Sequence, residues 1–339
     1  MRDSLPADLE PSTTDHRRVL AWWLLAVAAM VAVMVSLGGV TRLTGSGLSM
    51  AQWNPHHILP PLTHQDWEHS FALYRQTPEY RLVNADMDLT GYQGIFWLEY
   101  IHRLWGRLIG LAFAAPLAFF AWRRMIPAGW GWPLVGLLAL GGAQGGLGWL
   151  MVASGLVDRP EVSHFRLAAH LLVALLILSA LILGACTLLR VRLHRHRLGF
   201  HVALAISALA LCTMVWGALV AGLDAGRIHN TFPLMSGSLW PAEARAPLIN
   251  AVESPAAVQY VHRVLALTTW AGLTLLALWS WRSKGPPALV LAGIWAWVQA
   301  GLGVTTLLHG APVTLAAMHQ GGAVMLLSLL CWGLASLRR

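Results

Sequence analysis

Four histidines of this 339-residue chain lie inside apolar stretches long enough to cross a membrane. Ionisable side chains are costly there, by about 2.5–3.5 kcal/mol for a charged group at the bilayer centre, so they mark functional sites by default. Two imidazoles on facing helices of a bundle suit axial ligation of a porphyrin iron, whereas zinc with two histidines and no thiolate would lack ligands. A hydrogen bond between helices is the alternative for any one of them. The four are His102, His170, His262 and His319.

A short motif around two of these histidines occurs twice. The sequence EYIHR at residues 99–103 recurs as QYVHR at residues 259–263. Weaker matches occur in the same order along both halves, and together they indicate a duplicated chain with one histidine pair in each half. They relate Met34-Val35 to Met214-Val215, residues 144–148 to 299–303, and residues 167–170 to 316–319.

The two copies of the motif differ at their first position, where Glu99 is replaced by Gln259. Glu99 and His102 are spaced i, i+3, so both side chains project into the same bundle. A carboxyl group there could move protons or stabilise a developing positive charge, which a glutamine cannot do. The difference predicts that the first half performs chemistry and the second holds a redox or structural cofactor. The alternative is a glutamate that only pairs with a neighbouring arginine.

Arginines beside the histidines could hold the carboxylates of a bound porphyrin. Arg166 and Arg263 could offer forked hydrogen bonds to its propionates. Arg103 faces a different direction from His102, and a salt bridge or a snorkelling contact would explain it equally well. In the fourth span His164 competes with His170 as a ligand, but His164 has no partner in the repeat, so His170 is the predicted ligand.

Composition places these residues in a membrane. The chain is 57% hydrophobic and 11% charged, with a mean hydropathy of +0.58, which excludes a soluble globular domain. About 20 apolar residues span a bilayer, and we predict an all-α integral membrane protein whose eight transmembrane helices form two pseudo-symmetric four-helix bundles, related as a parallel internal repeat. The predicted spans lie near residues 19–40, 96–121, 132–153, 163–189, 199–221, 256–281, 286–307 and 313–336.

Charge patterning predicts the orientation. Basic residues such as Arg123, Arg190 and Arg282 cluster on one side of the predicted bundle, which by the positive-inside rule puts both termini in the cytoplasm. The net charge of +8 then reflects topology and not nucleic-acid binding. Residues 1–18 lack the apolar segment of a signal peptide, which favours a bacterial inner membrane. The opposite connections carry most acids: Asp66, Glu68, Glu79, Asp86, Asp88, Asp158, Glu161, Asp224, Glu243 and Glu253.

The remaining features have simple interpretations. The long outer connections, residues 41–95 and 222–255, hold histidines without tight metal-ligand spacing, so we expect these to be solvated. Glycines in the third and seventh spans could allow close helix packing or make room for a flat ligand. All three cysteines fall within predicted helices, which excludes a disulfide in the outer connections. The histidines of the outer connections are His56, His57, His64 and His69, and the three cysteines are Cys186, Cys212 and Cys331.

Taken together, these motifs resemble the heme A synthase family. The resemblance rests on Glu99-x-x-His102-Arg103, on His170, on Tyr260-Val261-His262-Arg263 and on Met318-His319-Gln320. Residues 41–49, Trp53-x-Pro55 and Pro60-Pro61 are also similar to that family. The similarity covers the chain after residue 19. Some members carry cysteine pairs in the outer loops, and this chain resembles the mitochondrial-type branch of proteobacteria, which lacks them.

The resemblance implies an enzyme that oxidises the C8 methyl group of heme O to a formyl group, giving heme A for terminal oxidases. It implies that the first half, residues 19–189, holds the substrate heme on His102 and His170 with Glu99 as the catalytic acidic residue. It also implies that the second half, residues 190–339, holds heme b on His262 and His319. Residues 1–18 are then the tail that the charge pattern places in the cytoplasm. Expected partners are heme O synthase, the cytochrome oxidase assembly machinery and an electron acceptor.

The mechanism and two other functions stay open at this point. If both histidines hold the substrate iron, water supplies the oxygen and two hydroxylations give a gem-diol that dehydrates to the aldehyde. If one dissociates, a heme–oxygen oxidant could form instead. A di-heme electron-transfer cytochrome is the main alternative function, although the Glu99/Gln259 difference argues against it. A heme transporter would need an opening pathway, and no span has a central proline break.

Overall fold

The computed structural model describes residues 13–51, 59–155, 162–191, 193–245 and 251–338. Within these ranges the chain is almost entirely helical, apart from a two-residue parallel pair of strands, β1 (His194–Arg195) and β2 (Leu337–Arg338). Eight of its helices are long and apolar enough to cross a membrane, which confirms the predicted all-α membrane fold. The helices are α1 (Thr13–Leu43), α2 (His64–Tyr74), α3 (Pro78–Leu82), α4 (Leu89–Trp122), α5 (Gly131–Gly155), α6 (His164–Leu189), α7 (Arg197–Gly222), α8 (Pro255–Arg282), α9 (Pro287–Leu308) and α10 (Val313–Ala335).

The spanning helices coincide with the predicted segments, except that α1 and α4 begin earlier. Asp88 caps α4, because its Oδ1 accepts a hydrogen bond from the N–H of Gly91 at 2.8 Å. The 34 residues of α4 rise about 51 Å at ~1.5 Å each, which exceeds the ~30 Å hydrocarbon core of a bilayer. Helix α4 therefore extends beyond the bilayer at the end of the bundle that carries α2 and α3, here called the outer end.

Helix contacts divide the bundle into two rings. Helices α1, α4, α5 and α6 form one ring, in which each contacts the next and α6 contacts α1. Helices α7, α8, α9 and α10 form a second ring in the same order. The rings meet where α6 contacts α7 and α10 and where α1 contacts α10. This arrangement is consistent with the predicted pair of four-helix bundles, and the division at residue 190 stays a prediction.

The inner half of the bundle is closely packed. Leu20 and Leu24 of α1 and Leu178 and Leu181 of α6 are at most 1% exposed and belong to one buried cluster. In lipid, such close packing itself holds helices together, because lipid and leucine are equally apolar. The cysteines lie within helices α6, α7 and α10 and are free thiols, as predicted.

The first outer connection contains two helices that the sequence interpretation treated as loop. Helix α2 begins with a capping box between Thr63 and Asp66, and the backbone hydrogen bond from Thr63 lowers the pKa of the Asp66 carboxyl. Aromatic rings fix α2 to the outer end of α4, for example Tyr74 stacked on Tyr92 at 5.1 Å between centroids. This connection is thus a packed cap on the first ring. His64 and His69 are exposed, in agreement with the prediction, whereas His56, His57, Trp53 and Pro55 lie outside the described residues.

Candidate active site

A cavity of about 2220 Å³ lies among the spans and is lined by residues from all eight of them. The four predicted histidines line it, together with Glu99. Its volume is more than twice the ~1,000 Å³ at the upper end of ordinary small-molecule sites. The cavity therefore has room for more than one large, flat, mostly apolar ligand, and it joins the two rings in one continuous space.

Each histidine packs against a glycine on a neighbouring helix. A Cβ atom added at any of these glycines would come closer to the imidazole than ordinary van der Waals contact allows. The pairs, with the distance from that Cβ to the nearest ring atom, are Gly38 with His102 (3.2 Å), Gly148 with His170 (3.2 Å), Gly217 with His262 (3.2 Å) and Gly303 with His319 (2.9 Å). The absence of a side chain at each glycine is what lets an imidazole of one helix approach its neighbouring helix this closely.

The histidines form the two predicted pairs, one in each ring. His102 and His170 line the cavity from helices of the first ring, and His262 and His319 line it from helices of the second. Each pair joins two helices of the same ring, α4 with α6 and α8 with α10. The structure thus brings together the residues that the sequence interpretation assigned to common sites.

A glutamine makes the same contact in both rings. Nε2 of Gln144 on α5 donates a hydrogen bond to the carbonyl oxygen of His170 at 2.9 Å, and Nε2 of Gln299 on α9 donates to that of His319 at 2.8 Å. The Gln299 amide also lies 3.1 Å from Nδ1 of His319. The same amide group thus contacts both the backbone and the ring of His319 and fixes the orientation of the imidazole. The weak sequence repeat around these residues therefore corresponds to a repeated structural contact.

The glycine-rich helices serve both purposes that the sequence left open. Gly148 and Gly303 contact imidazoles. Other glycines line the cavity and would find no atom within 4 Å of an added Cβ, so they leave room for a ligand. These are Gly141, Gly142, Gly145 and Gly301.

Glu99 is buried in the first ring, with 2% of its surface exposed. One carboxylate oxygen accepts hydrogen bonds from Oγ of Ser49 at 2.7 Å and from the N–H of Met50 at 2.8 Å. The other forms a salt bridge with Arg103, one turn further along α4. The predicted pairing of Glu99 with an arginine is therefore present, and the three donors orient the carboxylate at the cavity wall.

The equivalent position of the second ring is built differently. Gln259 is also 2% exposed, and its Nε2 donates to the carbonyl oxygen of His229 at 3.3 Å. Arg263 donates to the carbonyl oxygens of His229 and Thr231 at 2.7 and 2.9 Å. Its Nε is buried without a hydrogen-bond partner among the described residues, and the side chain lines the cavity. Backbone carbonyls thus replace the carboxylate as partners of the arginine.

Arg166 and His164 lie at the start of α6 and also line the cavity. Nη1 of Arg166 donates to the carbonyl oxygen of Leu150 on α5 at 3.0 Å. His164 sits beside Gly222 of α7 and lacks the glutamine contact that His170 shares with its counterpart in the second ring. That difference favours His170 over His164 as the ligand.

Two cavity residues were not predicted as part of the site. Arg107 follows Arg103 by one turn on the same face of α4, and its Nη1 is buried without a hydrogen-bond partner among the described residues. The i, i+4, i+8 spacing from Glu99 would have identified it, and the second copy has Leu267 at the matching position. Glu79 of α3, which the sequence analysis counted only among the acids of the outer connections, also lines the cavity and is 6% exposed.

The side chains that line the cavity could supply only two ligands to a metal at each site, so they fit a metal whose other ligands come from a bound cofactor. No group of three or more histidine, cysteine, aspartate or glutamate side chains in the described ranges could hold a metal ion. Paired imidazoles on facing helices supply two axial ligands, which complete the coordination of a porphyrin iron. The large apolar cavity and the glycines beside each ring fit the flat macrocycle.

Fold and site together define a polytopic helical membrane protein with two paired-imidazole sites around one cavity. The model of the family described as cytochrome oxidase assembly protein matches residues 21–331. The chain belongs to this family.

Curated relatives support the same assignment over nearly the full length. The heme A synthase of Paramagnetospirillum magneticum is 46% identical, covering 96% of this chain and 95% of its own. The heme A synthase of Rhodospirillum centenum is 45% identical, covering 95% and 89%. That of Parvibaculum lavamentivorans is 42% identical, covering 96% and 95%. The resemblance drawn from the motifs is confirmed.

Glycine substitutions test whether the imidazoles need their close contacts. Gly148→Val should weaken heme retention about 10- to 100-fold, because overpacking against His170 costs about 1–3 kcal/mol. Gly146→Val on the same helix is the control, since an added Cβ there meets no atom within 4 Å and Gly146 does not line the cavity. Heme titration of both purified variants measures the effect. Equal affinities would show that the Gly148 contact does not position the ring.

Proposed function

We propose that this chain is an oxidoreductase that converts heme O to heme A by oxidising the C8 methyl group to a formyl group. One observation carries the proposal: two otherwise repeated histidine sites differ in that the first has a buried carboxylate, Glu99, where the second has Gln259. A carrier that only exchanges electrons would need no such acid. The curated relatives named heme A synthase support the same reaction.

The first ring is the substrate site in this proposal. His102 and His170 hold the iron of heme O, and the adjoining glycines leave room for the ring. With both axial positions filled, the oxygen atom comes from water. The methyl group and one water give the formyl group, four protons and four electrons, and the electrons leave to an oxidised one-electron acceptor. The Glu99 carboxylate stabilises positive charge developing at the methyl carbon and accepts a proton from it.

The second ring fits heme b on His262 and His319. Gln299 and Gly303 orient His319, Gly217 fixes His262, and the unpartnered Nε of Arg263 is available to a propionate. Arg166 plays the corresponding part at the first site. When bound, heme b supplies one-electron redox chemistry.

The cellular setting follows from the charge pattern and the chemistry. We place the chain in a bacterial inner membrane with both termini in the cytoplasm, because the basic connections lie at the inner end. Heme O is apolar and enters from the lipid phase. The enzyme that makes heme O and the machinery that assembles the terminal oxidase are the expected partners on either side of the reaction.

Labelled water tests the reaction and its oxygen source together. The purified protein in lipid nanodiscs is incubated with heme O and an oxidised acceptor in ¹⁸O-labelled water, and extracted hemes are identified by mass spectrometry. The reaction is quenched before the aldehyde exchanges its oxygen with the solvent water. We then expect heme A with ¹⁸O in the formyl group, together with unlabelled heme B. Heme A without ¹⁸O in the formyl group would contradict the water route. Heme B alone, with heme O unchanged, would contradict the enzyme and support the electron carrier.

A further inference from the structure

We propose that Glu79, on the short helix α3 at the cavity wall, is the relay group that takes protons from the Glu99 site and passes them to the outer surface. This inference rests on the proposed function, because it names the route by which protons from the methyl group leave. The outer connection then has a catalytic purpose besides covering the first ring.

The position of Glu79 fits a relay. It lines the same cavity as Glu99 and His102, and the Glu79 and Glu99 carboxyl groups are close enough for their charges to interact. On its other side, one carboxyl oxygen accepts a hydrogen bond from the hydroxyl of Tyr74 at 3.1 Å. That hydroxyl accepts one from Nδ2 of Asn84 at 2.8 Å, and Asn84 is partly exposed. Glu79 thus lies between the cavity and the outer surface.

The surroundings of Glu79 are unusual for a structural carboxylate. No salt bridge to it occurs among the described residues, although it is 6% exposed. Burying a carboxylate without a cationic partner costs free energy. Such groups are therefore found at functional sites more often than at purely structural positions. Among the arginines that line the cavity, Arg103 forms an ion pair with Glu99 and Arg42 forms one with Asp224.

Titration near neutral pH is what a relay requires. Burial raises the pKa of Glu79 to about 7, the hydrogen bond from Tyr74 opposes that rise, and the negative charge of Glu99 adds to it. The titratable groups that interact with Glu79 are Tyr74 of α2 and Glu99 of α4, and Tyr92 of α4 lies beside Tyr74. Arg42 of α1 and Arg103 of α4 line the same cavity. A carboxyl group with a pKa near the working pH both accepts and releases protons readily.

The reaction supplies the protons that such a group would carry. Conversion of a methyl group and a water molecule to a formyl group breaks two methyl C–H bonds and both O–H bonds of the water. It releases four protons, while the four electrons go to four equivalents of the oxidised one-electron acceptor. Each proton passes from the cavity, by way of Glu99, to the Glu79 carboxylate and then to outer water. Glu79 is regenerated each time, so the relay adds no net reactant.

The second ring offers a comparison inside the same molecule. Gln259 and Arg263 contact carbonyl oxygens of the second outer connection. The described acids of that connection, Asp224, Glu243 and Glu253, are all exposed. Within the described part of the chain, a buried outer carboxyl therefore accompanies only the ring that also carries Glu99.

The test compares Glu79→Gln with Glu68→Gln, an exposed glutamate of the same connection. In heme-loaded protein, Glu79→Gln should keep its heme O content and slow heme A formation about 10- to 100-fold. The rate should also lose its dependence on a group titrating near pH 7. An infrared titration without turnover should lose one protonated-carboxyl band that titrates near pH 7. Glu79→Asp should restore part of the rate, and Glu68→Gln should match the wild type.

Three results would overturn the relay. They are a wild-type rate and pH profile in Glu79→Gln, an infrared titration that this variant leaves unchanged, or a loss of heme O that would make Glu79 a structural residue. Failure of the proposed function looks different. In that case the wild-type protein itself makes no heme A from heme O, whereas failure of the relay alone leaves the wild type and Glu79→Gln equally active.

Discussion

Glu99→Gln is expected to keep heme bound and to lower the rate of heme A formation about 100- to 10,000-fold, the usual range for loss of a positioned acid or base. The substitution changes one oxygen atom to an amide nitrogen and preserves the shape of the side chain. It removes the negative charge that faces the cavity beside His102. Single-turnover conversion of bound heme O, with heme content measured in the same sample, separates slow chemistry from loss of substrate.

The second ring provides the control for this variant. Gln259 occupies the matching position next to Arg263 and is equally buried, so a glutamine at this place is compatible with the fold. Gln259→Glu should leave heme A formation close to wild type, because it adds an acid at the proposed heme b site and not at the proposed substrate site. A Glu99→Gln protein that makes heme A at the wild-type rate would restrict Glu99 to its salt bridge with Arg103.

The spans and the paired histidines were predictable because a bilayer imposes strong constraints on sequence. Each span needs about 20 apolar residues, and an ionisable residue within one stands out against that background. The repeat then divided the four histidines into one pair for each half of the chain, since His102 and His262 occupy matched motifs. The same reasoning explains why α4 was predicted too short. Its first two turns lie outside the bilayer, where polar residues such as Asp88 are tolerated and give no hydrophobic signal.

Helices α2 and α3 show where sequence reasoning was insufficient. They lie outside the membrane and are short, so they lack the long apolar run that identified the spans. The capping box at Thr63 and Asp66 was a readable local signal for α2. For Glu79 no such signal exists. Its burial depends on α3 folding back over the cavity beside α4, which is a tertiary contact between residues distant in sequence.

The two rings keep their imidazole supports and differ in their charged groups. Gln144 and Gln299 make equivalent hydrogen bonds, and a glycine lies against the imidazole of each of the four histidines. In contrast, Glu99 and Arg107 of the first ring correspond to Gln259 and Leu267 of the second. The described part of the chain thus has the same supports for the imidazoles in both rings, whereas the buried carboxylate beside a histidine and Arg107 occur in the first ring.

His170→Ala and His319→Ala should therefore remove different hemes from the same protein. Both histidines lie against a glycine and accept a hydrogen bond from a glutamine at their carbonyl oxygen, so the two variants disturb their rings in the same way. We expect His170→Ala to lose heme O and keep heme B, because its site is the proposed substrate site. His319→Ala should lose heme B and keep heme O bound.

Extraction and chromatographic separation of the hemes from each purified variant measures this directly. Loss of a metal ligand is expected to lower heme occupancy of its own site at least tenfold. Occupancy of the other site should fall less than twofold, because that site lies in a separate ring. Separate losses require two independent sites, each closed by its own imidazole pair. If either variant lost both hemes, the two rings would form one interdependent site. If the heme types were exchanged between the variants, the substrate would lie beside Gln259, and the carboxylate of Glu99 would face the wrong heme for the proposed chemistry.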